Sequence, residues 1–290
     1  MTFASRLGRI IGLLCLAAAL AACSAIKLGY NTLDYVAYWW LDSYVDFSDE
    51  QSPRAREDLG RLHQWHRVNE LPRFASLLQG MEQLAPGDIT GAQACAIFAR
   101  FRERLDALAA RAEPAVVTLA TGLVPEQVAH MERKYEKNNA NFRKDWLLPA
   151  PAERAEKRFE QFLERSEMVY GRLDEPQRVV LRRELQHSVF DPKNILAERQ
   201  RRQRDLLQTL RKIAGSPISL GDARTLLRGY LDRVRDPPDR AAHAYQHALI
   251  NEGCATFAAL HNSTSATQRE SALRRLRAYQ RDLQELAAQQ

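Results

Sequence analysis

One short phrase opens helical run after helical run along this chain. It stands as Phe47-Ser-Asp-Glu-Gln51, Ile89-Thr-Gly-Ala-Gln93, Leu123-Val-Pro-Glu-Gln127, Leu173-Asp-Glu-Pro-Gln177 and Ser263-Thr-Ser-Ala-Thr-Gln268. Four of the five begin with a hydrophobe. Ser48 and Thr90 can accept a bond from a first-turn N–H while Gln51 and Gln93 reach back three residues later, the capping-box arrangement, with the preceding hydrophobe as a staple. Asp174 sits at the equivalent point; Val124 cannot cap by side chain. Successive glutamines are 42, 34, 50 and 91 residues apart, and the last gap has room for one degenerate copy at Leu220-Gly-Asp-Ala-Arg224. Units of 34–50 residues suit helix pairs, yet they are too irregular for a tetratricopeptide or HEAT array.

Between these starts the apolar residues recur at 3–4 spacing. Residues 26–46 carry Leu33, Val36, Ala37, Trp40, Leu41, Tyr44 and Val45. Residues 91–112 carry Ala94, Ile97, Phe98, Phe101, Leu105, Leu108 and Ala112 as one stripe, with Arg100, Arg102, Glu103 and Arg104 off it. Residues 152–173 and the last run, with Leu273, Leu276, Tyr279, Leu283 and Leu286, repeat the pattern. No stretch alternates with period two, and Gly (13) and Pro (12) are sparse and cluster at breaks near 84–87, 148–151, 215–217 and 236–238. The expected fold is all-α, an elongated bundle or array of helical hairpins.

The first residues set an expected address. Arg6 and Arg9 precede an apolar run from Ile10 to Leu20, and Leu20-Ala21-Ala22-Cys23 ends it with small residues before a thiol. That ending resembles the lipobox of bacterial lipoproteins, which implies removal of residues 1–22, acylation of Cys23 and one helical domain over residues 23–290. The competing reading is a signal-anchor helix, but Ile10 to Ile26 is only 17 residues, the lower edge of a membrane span. Ser24 is not the aspartate associated with inner-membrane retention, so the expectation is a lipid anchor, carrying palmitate-type chains, in the outer membrane and facing the periplasm. Several acyl chains would make that attachment effectively permanent.

Removal of Arg6 and Arg9 lowers the formal charge from +6 to +4. An excess of that size suits contact with anionic headgroups or acidic polymers and is too weak to argue for nucleic acid. Of the four cysteines, Cys15 leaves and Cys23 is acylated. Cys95 and Cys254 then either pair in an oxidising compartment or stand as two separate buried thiols.

The segment Cys23-Ser-Ala-Ile-Lys-Leu-Gly-Tyr-Asn-Thr-Leu-Asp34 with Tyr38-Trp-Trp-Leu-Asp42 and Tyr44-Val-Asp-Phe-Ser-Asp-Glu-Gln51 resembles the opening of a family of uncharacterised proteobacterial lipoproteins. Similarity continues through Leu123–Gln127 and Asn138-Asn-Ala-Asn-Phe-Arg143. The resemblance implies a helical, lipid-anchored envelope protein and carries no catalytic residue. The hydrophobe–Thr–x–x–Gln starts are more weakly similar to small periplasmic stress chaperones of the Spy type.

Tyr30, Tyr35, Tyr38, Trp39, Trp40, Tyr44 and Phe47 fall within eighteen residues. Such rings favour interfaces, so Tyr30, Tyr38, Trp39, Trp40 and Tyr44 are the candidate seam for a partner or membrane. The alternative is core packing, with Asp34, Asp42 and Asp46 facing water and away from anionic headgroups. Trp39 and Trp40 point about 100° apart on a helix, so at least one is expected to be buried. His63, His66 and Glu70 share a helix face at a spacing able to supply metal ligands, and His243 with His247 form an i, i+4 pair. Neither contains the glutamate of a metalloprotease helix. Histidines on an amphipathic helix are the commoner reading, so no metal and no cofactor are expected. Arg133-Lys-Tyr-Glu-Lys137 with Arg143-Lys144, and Arg199-Gln-Arg-Arg-Gln-Arg204, are basic clusters. The second reads as a solvated face at a helix start. Asn138, Asn139 and Asn141 need partners if buried. No nucleophile elbow or phosphate loop occurs. The expected function is non-enzymatic binding or scaffolding of an envelope protein or polymer. The alternatives are a hydrolase for a cell-wall or lipid substrate and a periplasmic holdase.

Overall fold

A computed structural model describes residues 26–215 and 217–289. The leader, Cys15, Cys23 and Ser24 lie outside the described residues. Residues 26–31 are helical and lead into α1 (Leu33–Val45). There follow α2 (Gln51–Asn69), α3 (Leu71–Leu84), α4 (Gly91–Thr121), α5 (Pro125–Trp146) and α6 (Pro151–Tyr170), then α7 (Glu175–Gln186), α8 (Pro192–Ala214), α9 (Leu220–Arg235), α10 (Arg240–Ser263) and α11 (Ala266–Ala288). Among the described residues every regular element is a helix, so the chain is all-α, as its periodicity predicts.

The helix starts behave as their side chains dictate. Complete capping boxes join Thr90 to Gln93, Asp174 to Gln177 and Ser265 to Gln268. Ser48 and Gln51 make the same exchange at 3.1 and 3.3 Å. Val124 has no acceptor, so only the returning half survives there, its N–H donating to Gln127 Oε1 at 3.1 Å. Pro72 near the start of α3 lacks the N–H that would continue α2, and Glu70 is the joint between the two.

α4, about 46 Å long for its 31 residues, runs the length of the array. Its C-terminal half meets α5, α8, α9 and the end of α1 in the largest core. There Val45, Val117, Leu123, Val128, Met131, Leu207, Ile213 and Leu227 are buried together. Its N-terminal end meets α10, where Ile89, Ala94, Cys254 and Ala258 form a smaller cluster. A third cluster, Tyr170, Leu173, Leu260 and Ala272, joins α6, α10 and α11. α11 also packs along α3, bringing the last helix back to the first third of the chain. Cys95 and Cys254 form a disulfide between α4 and α10, Cα–Cα 5.3 Å, so the paired reading is the correct one.

The stripe read over residues 91–112 is only partly the buried face: Ala94 is buried and Ile97, Phe101, Leu108 and Ala112 are half-buried. Phe98 is 43 % and Leu105 61 % exposed. α4 and α10 instead approach through small residues: a Cβ on Gly91 would stand 3.5 Å from Ala255 Cα. Ala94, Cys254 and Ala258 fill the seam, which leaves the bulky side chains outside. Val169 and Tyr279 are likewise exposed, and Tyr170 is the buried ring at the end of α6.

Candidate functional site

The helical turn at 26–31 and α1 lie on the body with one side tied down. Lys27 bonds Glu285 and lies 3.5 Å from Asp282 of α11. Asn31 accepts a 2.8 Å bond from the buried Arg67, which also donates to the Leu286 carbonyl at 3.2 Å. The Tyr30 hydroxyl meets His66 Nδ1 at 2.9 Å. Further on, Tyr38 is buried, donates to Ser52 Oγ at 3.0 Å and stacks on Phe47, while Val45 enters the main core. Tyr44 is half-buried beside that core and accepts from Asn138 at 2.8 Å.

The opposite side is open. Leu28, Leu33, Tyr35, Val36, Trp39 and Trp40 are all exposed, Leu28 by 68 % and Trp40 by 61 %. The expectation that Trp39 or Trp40 is buried is therefore wrong. Two positions 100° apart can both lie on an open half-cylinder, and Tyr38 takes the inward direction. The other exposed residues of the stretch, Ile26, Gly29, Asn31 and Thr32, carry no charge either, so every exposed residue from 26 to 40 is uncharged. Asp34 and Asp42 do not simply face water. Asp34 turns towards His63 (3.8 Å) with its side chain still 39 % exposed, and Asp42 accepts the Phe47 N–H at 3.0 Å. Only Asp46, past the helix end, is freely exposed. Cations stand on the flanks instead: Arg56 lies 4.1 Å over the Tyr38 ring and Lys134 is 5.3 Å from that of Tyr44.

His63 and His66 of α2 and Glu70 at its end do not converge on a metal. His66 is held by Tyr30, and Glu70, fully buried, faces Arg73 at 3.4 Å and Arg104 at 3.7 Å. His243 and His247 meet at 3.1 Å on the surface, with Asp236 3.1 Å from His243. Among the described residues no three such ligands are arranged to hold an ion.

The run Arg199–Arg204 is not a solvated face at a helix start. It lies within α8 and is largely consumed internally. Arg201 and Arg202 both bind Glu198, Arg201 also reaches the Arg233 carbonyl of α9, and Arg202 reaches Gln246 of α10. Arg133, Lys137, Arg143 and Lys144 of α5 are exposed. Asn139 is buried and donates to Gln203 at 2.7 Å, Asn138 serves Tyr44, and Asn141 is exposed, so these asparagines tie helices together and line no groove. A surface hollow of about 290 Å³ between α8 and α9 is lined by Asp205, Thr209, Lys212 and Arg233, of which Arg233 and Asp205 bind each other bidentately.

Burial holds His63 and His66 below the ordinary histidine range, helped at His63 by Arg67 and opposed by Asp34. It also pushes the Tyr30 hydroxyl up to about 12, so Tyr30 stays protonated and donates to a neutral His66. His261 is lowered for the same cause; its Nε2–H donates to the Gly87 carbonyl at 2.8 Å and its Nδ1 accepts from Tyr170 at 2.9 Å. Below about pH 6.5 the unfolded chain takes up protons at these three sites while the folded chain resists, so stability falls as pH falls. The loss stops once the folded-state values are passed. The thermal midpoint is expected to drop between about pH 7 and pH 5, and His63→Gln to shrink that drop. A midpoint independent of pH in this window would contradict the assignment.

Comparison with known proteins places the chain by part of its length. No curated protein and no solved structure matches it. Residues 43–218 match a family described as a family of unknown function, DUF6279. The matched stretch starts in the last turn of α1 and ends before α9, leaving the segment 23–42 and the last three helices outside it. It covers more than half of the 290 residues, and on that ground the chain belongs to the family of unknown function DUF6279.

Proposed function

We propose that the protein is an acylated lipoprotein of a bacterial envelope, anchored through Cys23 in the outer membrane and facing the periplasm, where it binds or scaffolds another envelope component without catalysis. The observation that carries this reading is the Cys95–Cys254 disulfide. Taken with Leu20-Ala21-Ala22-Cys23, it accounts for every cysteine: one leaves with the leader, one accepts lipid, and two crosslink the body. Structural disulfides belong to oxidising compartments, which the leader would provide. The ion pairs joining Arg233 to Asp205, Arg228 to Glu113 and Arg182 to Glu156 each tie two helices together, as suits a scaffold.

The test is Cys23→Ala in a Gram-negative host supplied with labelled palmitate. The parent is expected to take up label and fractionate with outer membranes, whereas the variant takes up none and remains unprocessed or soluble. Label and sorting unchanged in Cys23→Ala would sink the reading.

A further inference from the structure

We propose that the uncharged face of residues 26–40 is a second, direct membrane contact, lying in the headgroup region of the bilayer beside the anchor. The choice of occupant rests on acylation at Cys23, and geometry carries the rest. Charged residues make up 27 % of the chain, yet the stretch from 26 to 40 has only Lys27 and Asp34, both half-buried at the edge of the face. The face combines Trp39, Trp40 and Tyr35 with Leu28, Leu33 and Val36, rings with polar tips among aliphatic chains, the mixture that favours a water–lipid boundary over a dry protein core.

Position selects the bilayer over a protein partner. Ile26 stands three residues after Cys23, and three residues of chain reach no more than about 10 Å. Acyl chains on Cys23 therefore bring the start of this face to the membrane surface. The turn at 26–31 cannot swing away, because Lys27, Asn31 and Tyr30 fasten its other side to α11 and α2. The charges fit as well. Asp42 accepts the Phe47 N–H, and Asp34, its side chain 39 % exposed, leans towards His63 at the edge of the face, while Arg56 and Lys134 flank it, where aliphatic stems can lie along apolar surface and cationic heads can meet phosphate. The body would then lie against the membrane, with no flexible tether between the two.

The test uses the full chain reconstituted in vesicles of phosphatidylethanolamine with a minority of phosphatidylglycerol, part of it brominated along the acyl chains. Two single-tryptophan forms are compared: one keeps Trp40 and the other keeps Trp146, which packs against Phe142 and Phe190 away from the face. Brominated lipid is expected to quench Trp40 about twofold and leave Trp146 nearly unchanged. Val36→Asp in the Trp40 form should remove most of that quenching while leaving the helical circular dichroism intact. Equal quenching of Trp40 and Trp146 overturns the proposal. So does a Trp40 that is untouched by lipid but shielded from aqueous iodide in native envelope membranes, which would give the face to a protein. The mass of the N-terminal peptide is read on the same sample. A missing acyl group would refute the anchoring reading by itself, since the retained apolar leader would still hold the chain on the vesicle and the quenching contrast would still report on the face.

Discussion

Reduction of the Cys95–Cys254 disulfide is expected to lower the thermal midpoint by roughly 10–20 °C, the largest single effect the structure predicts. The cause is chain entropy. The bond joins residues 159 apart, and closing a loop of that order removes about 5 kcal/mol of freedom from the unfolded chain. For a body of this size each kcal/mol moves the midpoint by about 2–4 °C. The native state should change little. Both cysteines sit in the small-residue seam of α4 and α10 among Ala94 and Ala258, so two thiols stay in place there and two alanines remove no more than the two sulfur atoms. Calorimetry with and without reductant, repeated on the Cys95→Ala/Cys254→Ala variant, checks this, and the two routes should agree. A shift of about 2 °C or less would mean that the unfolded chain is already compact enough for the link to restrict nothing. Material made in a reducing cytoplasm should resemble the reduced form until oxidised.

That crosslink was legible as one of two readings, because setting aside Cys15 and the proposed acylation site Cys23 leaves Cys95 and Cys254 to pair or to stand apart. The helices were legible because 3.6-residue periodicity and capping chemistry are local. Which side of a helix faces the core was less so. An exposed interface and a core stripe have the same apolar spacing, and so one of Trp39 and Trp40 was expected inside, and Phe98 and Leu105 read as packing positions, although all four are exposed. The basic run in α8 failed for the converse reason. Its partners include the Arg233 carbonyl on α9 and Gln246 on α10, and no local pattern announces them. The glutamines show both sides in one residue type, since their capping role is local and their second role spans the chain.

Gln177→Glu is expected to destabilise the protein by about 3–4 kcal/mol, whereas Gln93→Glu, at the same place in the same sequence motif, should cost less than about 0.5 kcal/mol. The capping box alone predicts no difference, because glutamate serves its third position as well as glutamine does. The structure adds a second layer. Gln177 Oε1 accepts the Asp174 N–H at 3.0 Å and Gln268 Nε2 at 2.9 Å, while its Nε2 donates to Gln268 Oε1 at 2.6 Å and to the Ser263 carbonyl at 3.1 Å. Gln268 returns the pattern, donating to the Arg172 carbonyl at 3.0 Å. Each amide thus uses both donors and both lone pairs. Gln51 and Gln127 repeat the clasp, donating to the carbonyls of Gly122 and Asp46. In each of the four cases the carbonyl reached lies five residues before the partner glutamine, so one clasp closes each end of the array over its own core. A carboxylate at 177, a position only 3 % exposed, would set the oxygen that replaces Nε2 against the Ser263 carbonyl and Gln268 Oε1 with no hydrogen between them. Gln93 is exposed and caps Thr90 alone. Denaturant unfolding of both variants decides the matter, and equal losses would reduce the clasp to ordinary capping. Acid supplies a further check. The carboxyl introduced by Gln177→Glu would titrate above its unfolded value of about 4.3, so protonation restores a donor, and the variant's deficit relative to the parent should shrink as pH falls towards that value.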